Sequence, residues 1–135
     1  MKRIGYLRWL LLLGLLLGAF AMAAPMTEQQ KIDTLIHGVE TMQGAQFVRN
    51  GSAYDGNAAA AHLREKRRFA GGRIKTAEDF ISCCATGSSM SGKPYQIRYT
   101  DGKTVDAAVY FRAELKRIEA QGSAASAAPA ASPKG

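Results

Sequence analysis

His62, Glu78 and the serines Ser88, Ser89 and Ser91 are the residue types from which a nucleophile, a base and an orienting carboxylate are assembled. Types alone do not make a triad. No G-x-S-x-G elbow singles out one serine, and a histidine beside an apolar helical stripe is more often a hydrogen-bonded core residue. Lys66 is four residues from His62, so both fall on one side of a helix and point inward. A lysine enters a core only with a carboxylate or carbonyl partner, or by running its stem along the helix so that the ammonium reaches water. Arg49, Asn50 and Tyr54 surround a turn and form a second polar edge suited to binding, with Asn50 also serving the turn itself.

Two other patterns invite chemistry and are set aside. Gly87 to Lys93 (GSSMSGK) has the letters of a phosphate-binding P-loop. Such a loop follows a strand, opens a helix and continues with Ser or Thr to hold magnesium, whereas here a helix precedes, Pro94 follows and a strand comes next. Cys83 and Cys84 are chain neighbours, their Cα atoms about 3.8 Å apart, too close for an ordinary disulfide. With only His37 and His62 as further soft ligands and no C-x-x-C or H-x-x-x-H spacing, no metal or other cofactor is expected.

Arg64, Lys66, Arg67, Arg68, Arg73 and Lys75, interrupted by Glu65, form the most conspicuous basic run. It suits an anionic envelope surface, or simply solubilises a helix face. Nucleic acid is disfavoured, since no exposed aromatics alternate with these cations.

The elements that must position these residues follow from caps and periodicity. Thr27 and Gln30 form a capping box, and Ile32, Leu35, Ile36, Val39 and Met42 then recur at helical spacing up to Gly44. A short strand, Gln46 to Arg49, closes on Asn50-Gly51, a strong two-residue turn signal. A second helix is predicted from about Asn57 to Phe69, with Asp55 or Asn57 as cap and Gly71-Gly72 as its break. Thr76 and Asp79 cap a short third helix ending near Gly87, whose inner face carries Ala77, Phe80, Ile81 and Cys84 and turns Cys83 away. Tyr95 to Tyr99 alternates as a strand and pairs with Phe47-Val48, and Asp101-Gly102 turns the chain. Asp106 caps a last helix with Val109, Arg112, Leu115 and Ile118 on one stripe and Phe111 beside it, ending before Gly122. The expected fold class is α+β: about four helices with a small two- or three-stranded antiparallel sheet.

Residues 1–23 read as a cleavable export signal. Lys2, Arg3 and Arg8 precede an apolar run from Trp9 to Phe20, and Ala21-Met22-Ala23 supplies the small residues that a signal peptidase selects. No cysteine follows to carry a lipid anchor. Removing the signal lowers the formal charge from +7 to +4, leaving fifteen basic against eleven acidic residues. At the other end, 121–135 (QGSAASAAPAASPKG) cannot bury enough apolar surface to offset the entropy of ordering it, and reads as a disordered tail. One globular domain, 24–120, remains.

Four blocks carry a resemblance across that domain: Phe47-Val-Arg-Asn-Gly51, His62-Leu-Arg-x-Lys66, Ile74-x-Thr-Ala-Glu-Asp-Phe-Ile81 and Ser88-Ser89-x-Ser-Gly-Lys-Pro-Tyr95. In order and spacing they resemble the YfeK-like family of small secreted bacterial proteins, over roughly residues 27 to 118. The paired cysteines and the Ala/Ser/Pro tail lie outside that pattern. The resemblance supplies no reaction, but implies that the polar residues of the blocks converge: Arg49, Asn50, Tyr54, His62, Lys66, Glu78, Ser88 and Ser89. The resulting expectation is a monomeric, periplasmic, non-enzymatic binding or accessory protein. Its partner would be an anionic envelope component (peptidoglycan, lipopolysaccharide or phospholipid) or another envelope protein. The alternative is a small hydrolase of cell-wall or lipid material, with His62 as base and a loop serine as nucleophile. A third expectation is an electrostatic adaptor at the membrane surface, released by salt.

Overall fold

Thr27 Oγ1 accepts the Gln30 amide while the Gln30 side chain accepts the Thr27 amide, the reciprocal cap its spacing predicts. This cap opens helix α1 (Glu28–Glu40) of the computed structural model, which describes residues 24–127. The expected export signal and residues 128–135 of the expected tail lie outside them. Ile32, Leu35, Ile36 and Val39 form the buried face of α1.

Strands β1 (Ala45–Arg49) and β2 (Ser52–Tyr54) form a hairpin across Asn50-Gly51. Both turn residues have positive φ, 51° and 81°, the mirror-image turn that the right-handed twist of paired strands requires. Helix α2 (Gly56–Ala70) follows, with Asp55 accepting the Ala58 amide at 2.8 Å. Its first residue must be small: a Cβ on Gly56 would run into the Val39 carbonyl oxygen and lie 2.6 Å from that of Glu40. A 3-10 turn (Gly71–Arg73) leads to α3 (Ala77–Phe80), capped reciprocally by Thr76 and Asp79, and the chain continues as a π-helical turn, Ile81–Ala85. Cys84 is buried there and Cys83 exposed.

Strands β3 (Gln96–Tyr99) and β4 (Thr104–Asp106) complete an antiparallel sheet of order β2-β1-β3-β4. Phe47 pairs with Ile97 and Val48 with Gln96, as the two strand patterns suggest. Among the described residues the architecture is α+β with four α-helices, but the sheet has four strands rather than two or three. Three-residue strands such as β2 and β4 are too short to show an alternation.

Helix α4 (Ala107–Ala127) closes the fold, and here two expectations are corrected. Its buried residues are Ala107, Phe111 and Ile118, whereas Val109 and Arg112 face solvent. Positions three apart drift by about 60° per step, so the Val109-to-Ile118 series winds off any one face, while offsets of four and eleven return to it. The helix also runs through Gly122 to Ala127, taking in the first seven residues of the expected tail. Alanine is the best helix former, and this stretch is rich in it. The core gathers α1, α2, the α3 turn, α4 and the inward face of β1 and β3 around Phe47, Leu63, Phe80, Tyr95 and Phe111.

Candidate functional site

Three elements meet beside this core and leave a cavity of about 400 Å³ between them. The β1–β2 turn contributes Arg49 and Asn50, and α2 contributes His62, Glu65, Lys66 and Phe69 from one face. The loop before β3 contributes Ser88, Ser89 and Met90, and Tyr95 forms part of the lining. Six of the eight residues expected to converge therefore line one space: Arg49, Asn50, His62, Lys66, Ser88 and Ser89. Tyr54 lies next door, in a cavity of about 280 Å³ on the other side of the Arg49–His62 pair, together with Phe47, Ala58, Ala59 and Ala61. Glu78 does not line either cavity. It binds the Arg112 guanidinium at 2.7 Å, which holds its carboxyl below the usual range, and accepts a bond from Ser82. The phase of α3 explains this, since Ala77 and Phe80 point inward and Glu78 must then point out.

Tyr95 forms part of the cavity wall; it closes the last of the four resemblance blocks but is not among the polar residues expected to converge. Only 1% exposed, its ring packs against Phe47 at 5.1 Å, and its hydroxyl accepts from Lys66 Nζ at 3.2 Å and meets His62 Nε2 at 3.0 Å. Lys66 also donates to the Gly87 carbonyl at 2.9 Å. Its inward course is thus explained by two neutral oxygens, not by a carboxylate.

The donor constrains the ring. Arg49 Nη1 lies 2.8 Å from His62 Nδ1 and 3.2 Å from Nε2, and a guanidinium can only donate, so the imidazole offers it a lone pair and is neutral. Nε2 also meets the Tyr95 hydroxyl at 3.0 Å. Burial lowers the His62 pKa, and the Arg49 and Lys66 charges lower it further against a small opposing effect of Glu65. Arg49 is braced on its other side by the Tyr54 ring, 5.3 Å from guanidinium to centroid.

The serine loop is built, not slack. Asn50 Oδ1 accepts the Ser91 hydroxyl at 2.5 Å, Ser88 Oγ accepts the Ser91 amide at 3.3 Å, and the Gly92 amide donates to the Ser88 carbonyl at 2.9 Å. A Cβ at Gly87 would approach the Lys93 carbonyl oxygen to 2.9 Å, so the loop neck also requires glycine.

Charge distinguishes the cavity from the basic run beside it. Arg64 forms a paired contact with Glu40, both bonds 2.8 Å, and Arg67 binds Asp33 and Gln29, so these cations tie α2 to α1. Arg49 and Lys66 have no carboxylate within 4.0 Å among the described residues. Glu65, the one acid of the lining, stands 4.0 Å from Arg68. The cavity thus presents two cations that no carboxylate contacts directly, with an amide and two hydroxyls, the donor set that an anion requires. It does not assemble the expected hydrolytic pair, because the two nitrogens of His62 are engaged by Arg49 and Tyr95 rather than by a serine. No group of three or more His, Cys, Asp or Glu side chains able to hold a metal occurs among the described residues.

Fold and site together define a small α+β domain with a cationic cavity, and the chain belongs to a family of unknown function, DUF5329, whose model matches residues 26–119. It is similar to the uncharacterized protein YfeK of Salmonella typhimurium, 40% identical over 68 residues. That alignment takes in 50% of this chain and 57% of the relative, so the chain spans little more than half the relative's length. No solved structure matches significantly.

Proposed function

We propose that this protein is a non-enzymatic, periplasmic binding protein of the bacterial cell envelope, and that its cavity takes an anionic group, a phosphate or carboxylate, of an envelope component. The observation that carries the reading is the pair Arg49 and Lys66, which line one cavity without a carboxylate partner. Keeping two like charges near each other in a half-buried wall is unfavourable, and an anion placed between them relieves that cost. Asn50, Ser88 and Ser89 add neutral donors that orient it. The export signal read at 1–23 supports the compartment, and the cationic lining supports the ligand class.

Two-dimensional NMR titration of the signal-free protein with inorganic phosphate, a muramyl peptide and lipopolysaccharide tests this directly. Shifts should cluster on Arg49, His62, Lys66 and Ser88. Lys66→Met, which keeps the packing of the stem, should weaken phosphate binding by about tenfold or more, the equivalent of one charge-assisted hydrogen bond. Shifts confined to Arg64, Arg67 and Arg68, or none with any of the three ligands, would sink the reading.

A further inference from the structure

The mouth of the cationic cavity carries two side chains that water should not favour there. Phe69, near the end of α2, is 75% exposed, and Met90, in the serine loop, is 98% exposed. They come from separate elements, yet both line the same opening. Scattered apolar residues on a surface need no explanation, but two flanking one charged cavity form an amphipathic rim. Cations surround it: Arg68 lies 5.8 Å from the Phe69 ring centroid, and Lys93 is exposed at the neck of the Met90 loop. The loop that carries Met90 is closed by the Gly92–Ser88 bond and tied to the β1–β2 turn by the Ser91–Asn50 bond.

An anionic bilayer offers the complement of this face, in the right order of depth. Its phosphates lie at the level of the charges, and its apolar layer begins just beyond, where protruding Phe and Met side chains end. We infer that the Phe69–Met90 rim is a membrane-docking face: both side chains enter the interfacial layer of an anionic bilayer while one lipid phosphate is received between Arg49 and Lys66. This rests on the anion-binding reading above for the phosphate, and on the exposed rim for the docking. The described residues contain no helix long and apolar enough to cross a membrane, so attachment through this face would be peripheral.

The test uses tryptophan as a local probe. Trp9 is the sole tryptophan of the chain, so Trp9→Phe provides a silent background for Phe69→Trp and Met90→Trp, with Val109→Trp on α4 as an exposed control away from the cavity. Each full-length variant is mixed with phosphatidylcholine vesicles with or without phosphatidylglycerol. Emission from positions 69 and 90 should move to shorter wavelength only when phosphatidylglycerol is present, and that from position 109 should stay. Attachment through the N-terminal apolar run alone would not select 69 and 90 over 109. Lys66→Met in the Phe69→Trp background should lower vesicle affinity about tenfold, one charge-assisted bond to phosphate. If positions 69 and 90 do not move, or 109 moves equally, the docking face is overturned, and phosphate-induced shifts at Lys66 then leave the anion site standing. If they move but Lys66→Met changes nothing, the rim docks and the cavity is not the lipid-phosphate seat.

Discussion

Tyr95 Oη accepts from Lys66 and meets His62 Nε2, while the Arg49 guanidinium reaches the same imidazole, so the neutral state of His62 is part of one arrangement. His62 in the fold has a pKa below its ordinary value of 6.5. The unfolded chain therefore binds the proton first as pH falls, so the contribution of neutral His62 is present above about pH 6.5 and is lost as pH drops toward the folded pKa. The fold should weaken between pH 7 and 5 in the wild type, and His62→Gln should flatten that part of the profile in urea unfolding. Glu40, held near 2 by Arg64, and Glu28, Glu78 and Asp79, all lowered, titrate in a separate window below about 4.5 and should be unaffected by the substitution. An unchanged slope from pH 7 to 5 would mean that His62 is not held neutral. At this scale the sequence is informative in types and silent in partners. Arg49, His62 and Lys66 are legible as inward or turn-adjacent polar residues, but Tyr95 reads as one position of an alternating strand and the end of a resemblance block, with no partner indicated. Nothing in linear spacing shows that its hydroxyl meets side chains 29 and 33 residues away.

Helices with reciprocal caps are the legible elements, because a cap and its periodic face are both written within a few residues. The short strands, the π turn and the close approach of α2 to α1 depend on contacts that the local sequence does not contain. Gly56 shows the difference. As a helical residue it would ordinarily be improved by alanine, by about 0.5–1 kcal/mol. Its Cβ would instead meet backbone carbonyls of Val39 and Glu40, which cannot rotate away as a side chain could. Gly56→Ala should therefore destabilise the fold by about 1–3 kcal/mol through overpacking. Gly38 is also helical, exposed, and a methyl group added there would have nothing within 4 Å. Gly38→Ala should stabilise by up to about 1 kcal/mol. Opposite signs in chemical denaturation midpoints for the same exchange would establish the α1–α2 contact, whereas two stabilising results would mean that the helices stand further apart than described.

Across the whole molecule, the end of the packed domain is a question of where burial stops, not where helix stops. Composition alone points to an end at Ala120, and α4 passes it by seven residues. Yet Ile118, 5% exposed, is the last core side chain of that helix, and beyond it Gln121 and residues 123 to 127 are exposed. Helix without a buried face depends on propensity alone, which is marginal for a segment of this length. A chain ended after Ala120 should lose helical signal in circular dichroism but unfold within about 0.5 kcal/mol of the full chain, since it loses no core contact. A larger loss would show that the outer turns of α4 cover something, and the shallow groove they share with Pro25, Met26 and Lys31 would be the place to look. The same reasoning explains why composition misplaces the end of the helix: a core is a matter of apolar side chains, which composition counts, while an exposed alanine-rich turn can be helical without contributing to it.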